Sequence, residues 1–236
     1  MKKQIVAAAF AALMIGAAAL TGCSASSEGS TSEPSSETQS ASSSSDIDRA
    51  AVLAECQKTA DAFFKDFFKM EGIASHEENE AYLKGLVKYF SEECSDLDFW
   101  AMYAPISLDY REFYKDGYKA EFKILSYITE KATLTPDLDS AEISDSGDTV
   151  TIPYTIKIRP GLDVFQVLQE KDLLDWFCQW YDKALDKVLA AIDEVEPVTK
   201  TFEMTFKKED GQYKIDTHID NIKRQVLRLS AKDLES

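Results

Sequence analysis

The residue pair best suited to acid–base chemistry in this 236-residue chain is Asp216 with His218, two positions apart. A carboxylate beside an imidazole orients the ring and stabilises its cation, so the pair could act as a general base. The position is an expected junction between a strand and a helix, which is more typical of a solvated turn. The other histidine, His76, follows Ser75 at an expected helix start and is predicted to be exposed. No catalytic residue is therefore assigned, and Asp216 and His218 are the only candidates.

An acidic run is the second group that could do chemistry, because calcium binds carboxylate and loop carbonyl oxygens. Its members are Asp137, Asp139, Glu142, Asp145 and Asp148. Their order does not match the twelve-residue calcium loop, since the glycine and the final glutamate are misplaced. The sequence favours a solvated hairpin loop here, and no metal site is predicted.

A dense set of aromatic side chains could either fill the core or line an apolar pocket. The set consists of Trp100, Tyr103, Trp176, Phe177, Trp180 and Tyr181. Core packing is the default interpretation. A ligand pocket is the alternative, since ligand sites are concave and mostly apolar.

Several classes of site are excluded by what the sequence lacks. There is no serine–histidine–aspartate order with an elbow glycine pattern, and no dinucleotide fingerprint. With nine glycines in the chain, a glycine-rich phosphate loop has little to be built from. The formal net charge of -16 and the absence of a basic stripe argue against a nucleic-acid partner. No cofactor is expected.

The amino terminus has the pattern of an export signal. Lys2 and Lys3 precede an almost wholly apolar run from Ile5 to Leu20, which is shorter than the roughly twenty residues of a membrane-spanning helix. The run ends in Leu20-Thr21-Gly22-Cys23, which resembles the lipobox of bacterial lipoproteins. The resemblance implies cleavage before Cys23 and a diacylglyceryl group on its sulfur, so that residues 1–22 are a signal peptide and the protein is held on the extracytoplasmic face of the cell membrane. An ordinary secretory signal or an uncleaved anchor are the alternatives.

A serine-rich segment follows the lipidated cysteine, and residues 23–45 are predicted to be a disordered tether. Ser24 to Ser45 contains no large apolar residue, so it cannot bury enough surface to offset the entropy of ordering. The remaining residues, 46–236, have the length of one ordinary domain.

Three cysteines remain besides Cys23. An odd count leaves at least one thiol free in an exported protein. If the first two helices form a hairpin that turns near Gly72, Cys56 and Cys94 would lie near its open end, which suggests a disulfide between them. Cys178 lies in an apolar helical stretch and is predicted to belong to the core.

Helical periodicity dominates the first part of the domain. Apolar residues at helical spacing predict a helix from Asp48 to Glu71, stopped by Gly72. Ser75 with Glu78 has the pattern of a capping box for a second helix. That helix is expected to bury Tyr82, Leu86, Val87 and Phe90. A short third helix is expected from Ser95 through Trp100 and Tyr103 to Pro105.

The pattern then changes to the period of two that is typical of half-buried antiparallel strands. Strands are predicted over Tyr118–Ile124, Thr149–Ile158, Val198–Lys207 and Tyr213–Ile215, with a further short strand at Ala141–Ile143. A long helix is predicted from Leu162 to Val195, with Leu173, Phe177, Trp180, Ala184, Val188 and Ile192 on one face. Thr217 with Asp220 is predicted to cap a final helix. The fold class is therefore α+β.

The lipobox, the serine tether, the two aromatic helices and the hairpin of Phe202–Lys208 with Gln212–Asp216 together resemble a known family. They are similar to exported lipoproteins of Gram-positive bacteria with a nuclear-transport-factor-two-like, or cystatin-like, cone domain of unknown function. The resemblance implies N-terminal helices packed on a curved, cone-like antiparallel sheet. The helix inserted between strands and the C-terminal helix are additions to that plan.

The expected role is a non-enzymatic domain at the cell surface that binds a protein partner or a small apolar ligand. Two alternatives remain open. Cone-fold enzymes of the resembled type place Asp and His inside the cone, which would make the chain a small-molecule enzyme with one acid–base residue. Cone-fold domains also pair through their sheets, which would make it an assembly subunit.

Overall fold

A computed structural model describes residues 47–95, 116–227 and 229–234 of the chain. The described residues fall within one compact unit, Ser44–Ser236. The signal, Cys23, the tether and the predicted helix at residues 95–105 lie wholly or largely outside the described residues. The α-helices are α1 (Arg49–Phe67), α2 (His76–Leu86), α3 (Gly117–Glu130), α4 (Gly161–Glu170), α5 (Leu173–Gln179), α6 (Tyr181–Asp193) and α7 (Ile219–Val226). None of the described helices is long and apolar enough to cross a membrane.

The first two helices form where the sequence predicts them, although α1 ends at Phe67 rather than at Glu71. The Asp48 side chain caps α1 by accepting a hydrogen bond from the Ala51 N–H. The chain turns at Gly72, whose φ of 96° lies in the region that favours glycine. Ser75 then caps α2 through the Glu78 N–H at 3.2 Å, and the Glu78 carboxylate accepts from the Ala74 N–H at 2.7 Å. The capping box is confirmed, although its return bond goes one residue further back than usual.

The strands form one strongly curled antiparallel sheet. They are β1 (Thr133–Pro136), β2 (Glu142–Ile143), β3 (Thr149–Ile158), β4 (Val198–Glu209) and β5 (Gln212–Ile215). The order is β1-β3-β4-β5, and β2 also pairs with β3. Side chains of β3 alternate between buried and accessible, as period two requires. The prediction of an α+β fold is confirmed.

The buried face of the sheet packs against the aromatic face of α1. Phe64 of α1 lies 6.1 Å from Tyr154 of β3 between ring centroids, and Tyr154 stacks on Phe202 of β4 at 6.0 Å. Phe63 and Phe67 are fully buried beside them and stack at 5.2 Å. In α2, the residues that enter this core are Leu83 and Leu86, followed by Phe90. Tyr82 and Val87, which were predicted to be buried, are only half-buried.

The predicted strand at Tyr118–Ile124 is wrong, because this segment belongs to helix α3. Ala120, Ile124 and Ile128 recur every four residues and are all buried, as is Leu125. α3 is buried on several sides, so its short apolar alternation imitates a strand. The alternation ends at Ile124-Leu125, and alanine, lysine and glutamate favour a helix.

The single long helix predicted at Leu162–Val195 is also wrong, since the segment forms α4, α5 and α6. Asp172 has a φ of 54°, a left-handed conformation that ends the first piece. Trp180 has a φ of -136° between the second and third pieces. Because each break resets the helical period, Trp180 is not on the buried face and is 53% exposed.

Both predicted hairpins are confirmed. Glu142 and Ile143 pair with Thr151 and Val150 across the turn at Gly147. β4 and β5 are joined by Asp210 and Gly211, whose φ values of 49° and 79° suit a tight two-residue turn. β1 was not predicted, because its four residues are too few for a periodic signal.

Candidate functional site

The two strands of the final hairpin differ in length, and this leaves part of β4 without a neighbour. β4 has twelve residues and β5 has four. β5 pairs with residues Phe206 to Glu209. Within the described residues, no strand pairs with β4 from Val198 to Thr205 on the side opposite β3.

The register decides which backbone groups face this open edge. The Lys208 N–H donates to Asp148, so the even-numbered residues of β4 hydrogen-bond to β3. The odd-numbered residues face the other side. At Thr205 that side is satisfied, because its carbonyl accepts from the Asp216 N–H at 2.7 Å and its N–H donates to Thr217 Oγ1 at 2.8 Å. Between the start of β4 and Thr205, the N–H and C=O groups of Thr199, Thr201 and Glu203 point to the open edge.

Helix α7 lies opposite the open edge of β4. β5 ends at Ile215, and Thr217 lies between this strand and α7. His218 caps α7, because its Nδ1 accepts a hydrogen bond from the Asp220 N–H at 3.3 Å. Buried residues Ile219, Ile222 and Val226 fix the helix to the core. Just past its end, the Leu229 carbonyl accepts from the Leu162 N–H, close to where β3 ends. α7 therefore runs alongside the open edge of β4.

Between β4 and α7 lies a groove of about 620 Å³, which we call the edge groove. It is lined by Pro153, Lys200, Thr201, Phe202, Glu203, Thr217, Asn221, Ile222 and Gln225. Asn221 and Gln225 are one helical turn apart, so both amides lie on the same wall. The Gln225 Oε1 atom is buried and has no hydrogen-bond partner among the described residues. A buried acceptor without a donor is costly, so this atom is an unsatisfied hydrogen-bonding group on the α7 wall of the groove.

The two members of the predicted acid–base pair hydrogen-bond to different groups. The Asp216 carboxylate accepts a hydrogen bond from the buried Ser91 hydroxyl, and the Cys94 sulfur lies 3.9 Å from the same oxygen. His218 is half-buried and acts as the cap of α7. Although they are two positions apart in the sequence, Asp216 therefore bonds Ser91 and His218 caps α7.

The described members of the aromatic set occupy three kinds of environment. Phe177 is fully buried, and Tyr181 stacks on it at 4.8 Å. The Lys187 ammonium lies 4.8 Å from the ring centroid of the half-buried Trp176, and Lys183 lies at the same distance from the exposed Trp180. Trp100 and Tyr103 lie outside the described residues.

The predicted disulfide between Cys56 and Cys94 is wrong, since both are free thiols, as is Cys178. Cys56 is fully buried in α1, and this burial raises its thiol pKa to about 12. Cys94 instead lies in a turn after α2, where it faces Asp216 and Ser91. The disulfide was predicted on the assumption that Cys94 lies at the open end of the α1–α2 pair. Instead, α2 ends at Leu86 and the chain crosses to the end of β5. Cys178 is buried, as predicted.

The acidic hairpin loop is organised by an arginine. The Arg49 guanidinium donates to the carbonyls of Ala141 at 2.7 Å and Leu138 at 3.1 Å. Asp137 accepts from the Ser140 N–H. The loop carbonyls therefore bind a side-chain cation, and the described residues contain no cluster of three metal-binding side chains.

Comparison with protein-family models, curated proteins and solved structures finds no match for this chain. The edge groove was missed by sequence reasoning. Two signals could have indicated it: the long alternation of β4 beside a much shorter final strand, and two amide residues four apart on the last helix.

Proposed function

We propose that this chain is an exported lipoprotein whose domain is a non-enzymatic binding module with the edge groove as its binding site. The export pattern of residues 1–22 and the lipobox resemblance at Cys23 support attachment to the extracytoplasmic face of the cell membrane. The domain of residues 46–236 then works outside the cytoplasm, on a serine-rich tether.

The single observation that carries the binding role is the buried Gln225 acceptor beside the open edge of β4. Both walls of the groove present hydrogen-bonding groups, while the largely buried Phe202 and Ile222 form an apolar base between them. Concave sites with a few convergent polar groups on an apolar base are the usual form of a binding site.

The membrane address is tested by replacing the acceptor of the lipid. Cys23→Ala in the full chain should release the protein from the membrane fraction and prevent incorporation of labelled fatty acid. Cys94→Ala is the matched control, because it also removes one thiol but should leave both measurements unchanged. Unaltered membrane association of the Cys23→Ala protein would contradict the proposed anchoring.

The binding role is tested by locating ligands on the full chain in detergent by amide NMR. The probes are one pool of short peptides with blocked ends and one pool of small apolar compounds. Shift changes should cluster at Thr201, Glu203, Asn221 and Gln225. Binding only to other parts of the domain, or no binding at millimolar probe concentration, would contradict the proposed binding role of the groove.

A second candidate role is assembly through the outward face of the sheet. Threonines of neighbouring strands lie side by side there, with Oγ1 atoms 3.3 Å apart for Thr151 with Thr205 and for Thr155 with Thr201. Sedimentation at micromolar concentration tests this role. A dimer that Thr155→Lys dissociates would favour it over the groove, and a strict monomer would exclude self-association.

A further inference from the structure

We infer that the edge groove takes an extended segment of a partner protein as an added strand. This strand would hydrogen-bond to the part of β4 from Val198 to Thr205 that β5 does not reach. This inference rests on the proposed binding role of the groove. It goes further by naming the class of partner and the way in which the partner is held.

The open edge is prepared for backbone recognition. Thr201 and Glu203 each direct one N–H and one C=O into the groove, and Thr199 directs its pair to the same edge of β4, as the register requires. These residues span roughly 14 Å at the usual rise of a strand. An extended segment of about five residues would complete this ladder, which is how peptides bind to other exposed sheet edges.

The wall opposite β4 suits the other side of the same segment. An extended chain directs alternate N–H and C=O groups away from β4, toward Asn221 and Gln225 of α7. Each amide side chain can both donate and accept. The Gln225 Oε1 atom, buried and without a partner among the described residues, would accept from one of these N–H groups. α7 therefore acts as a second hydrogen-bonding wall.

The pairing of β4 with β3 argues against a second copy as the occupant. A second β4 would bring its own β3 behind it, because the two are paired along their whole length from Thr149 to Ile158. That β3 would need the space that α7 already occupies. Only a segment without a covalently attached sheet fits between the two walls.

The chain's own serine-rich segment does not have the required chemistry. Ser24 to Ser45 has no large apolar side chain and carries only negative charges, at Glu28, Glu33 and Glu37. The groove needs apolar side chains on the face that meets Phe202 and Ile222. On the other face, a lysine or arginine would meet the exposed Glu203, and the net charge of -16 attracts a basic segment. The occupant is thus an extended partner segment that alternates apolar and polar residues and carries basic ends.

The probe is a pool of seven-residue peptides with blocked ends, in which valine, isoleucine or phenylalanine alternates with threonine between terminal lysines. Binding to the full chain is measured by fluorescence anisotropy, and hydrogen exchange is followed at each amide. The Thr201 and Glu203 amides should gain protection when the peptides bind, because their N–H groups then have partners.

Two variants at one position separate backbone from side-chain effects. Thr201→Pro removes the edge-facing N–H, and proline is tolerated where the N–H of an edge strand faces outward. It should weaken peptide binding at least tenfold. Thr201→Val keeps the N–H and should bind within twofold of the wild type. Circular dichroism checks that both variants are folded, and the exchange measurement on the wild type needs no variant.

The outcomes separate this inference from the proposed function. Tenfold loss with proline, retention with valine and new protection at both amides support strand addition. Peptides that shift the groove amides yet bind the proline and valine variants equally overturn strand addition and leave the groove as a site for side-chain recognition. Groove binding by the apolar compounds alone, with no peptide bound at millimolar concentration, likewise overturns the inference but not the binding role.

Discussion

The outer edge of β5 and the open edge of β4 belong to the same sheet, yet their outward backbone groups differ in hydrogen bonding. We call the outer edge of β5 the closed edge. At β5, the outward carbonyls of Tyr213 and Ile215 accept from the Thr59 hydroxyl at 3.0 Å and the Ser91 N–H at 2.9 Å. At β4, helix α7 lies alongside, but its amides make no bond to the edge among the described residues. Covering an edge with a helix is one way in which proteins keep it from pairing, but the groove between β4 and α7 leaves the edge-facing groups of β4 without a partner among the described residues. The difference separates an edge whose outward carbonyls are hydrogen-bonded from one whose edge-facing groups have no partner among the described residues.

The largest expected effect is at the closed edge, where Phe90 is 4% exposed and meets the Phe63 ring edge-on at 5.3 Å. Phe90→Ala should lower the free energy of unfolding by about 3–5 kcal/mol, because it leaves a cavity in the core. Urea denaturation measures this loss. Leu162→Ala is the control, since that side chain is 40% exposed and should change stability by less than about 0.5 kcal/mol. Equal small losses in both variants would contradict a tightly packed closed edge.

The next effect comes from Ser91, which is fully buried and donates its hydroxyl proton to Asp216. Ser91→Ala leaves a carboxylate oxygen without this donor and should cost about 1–3 kcal/mol in urea denaturation. Ser95→Ala is matched to it, because the Ser95 hydroxyl bonds the nearby Glu92 carbonyl in an exposed turn. We expect the control to stay within about 0.5 kcal/mol of the wild type; a loss as large as that of Ser91→Ala would mean that burial of the bond is irrelevant.

Smaller effects of opposite sign should distinguish the two edges directly. Thr59→Val removes the donor to the Tyr213 carbonyl and should destabilise the protein by about 1 kcal/mol. Gln225→Met removes an acceptor that has no partner among the described residues, so it should leave stability unchanged or raise it by up to about 1 kcal/mol. Thermal and urea unfolding of the two variants test the contrast. Losses of the same sign and size would show that both edges are closed.

The smallest effect concerns pH at the segment that borders β5. The Tyr89 hydroxyl and the Lys88 ammonium hydrogen-bond Asp66, and these bonds lower the pKa of its carboxyl. Because the folded pKa is depressed, the stabilisation is fully present above the unfolded pKa of about 3.9 and is lost as pH falls through the folded value. Asp66→Asn should therefore flatten the acid limb of stability below about pH 4. Superimposable wild-type and variant curves in that range would contradict it, and Glu77→Gln, at an exposed helix start, is the control.

Much of the fold was predictable where one pattern runs through a long segment. β3 and β4 were predicted because ten or more residues alternate, and α1 because seven apolar residues keep one helical face. The capping box at Ser75 and the turn at Gly211 were predictable from a few residues, because the required chemistry is local. α3 was mistaken for a strand because it buries Glu121, so its buried residues do not coincide with its apolar ones, and polar and apolar residues happen to alternate over residues 118–124.

The candidate site was missed for a different reason, although the long alternation of β4 and the two amides of α7 were visible in the sequence. Thr201, Asn221 and Gln225 have no shared pattern in the sequence, and each is unremarkable on its own. Their relation depends on β5 ending at Ile215 and on α7 turning back along β4.

The sequence by itself determined the alternation of the long strands, the amphipathic face of α1, the turns and the acidic charge, because each depends on neighbours along the chain. Only the tertiary structure decided that no strand among the described residues pairs with β4 from Val198 to Thr205, that Cys56 and Cys94 stay apart, and that Asp216 accepts from Ser91 while His218 caps α7. Those outcomes depend on packing between distant segments, whose free energy is not contained in any local pattern.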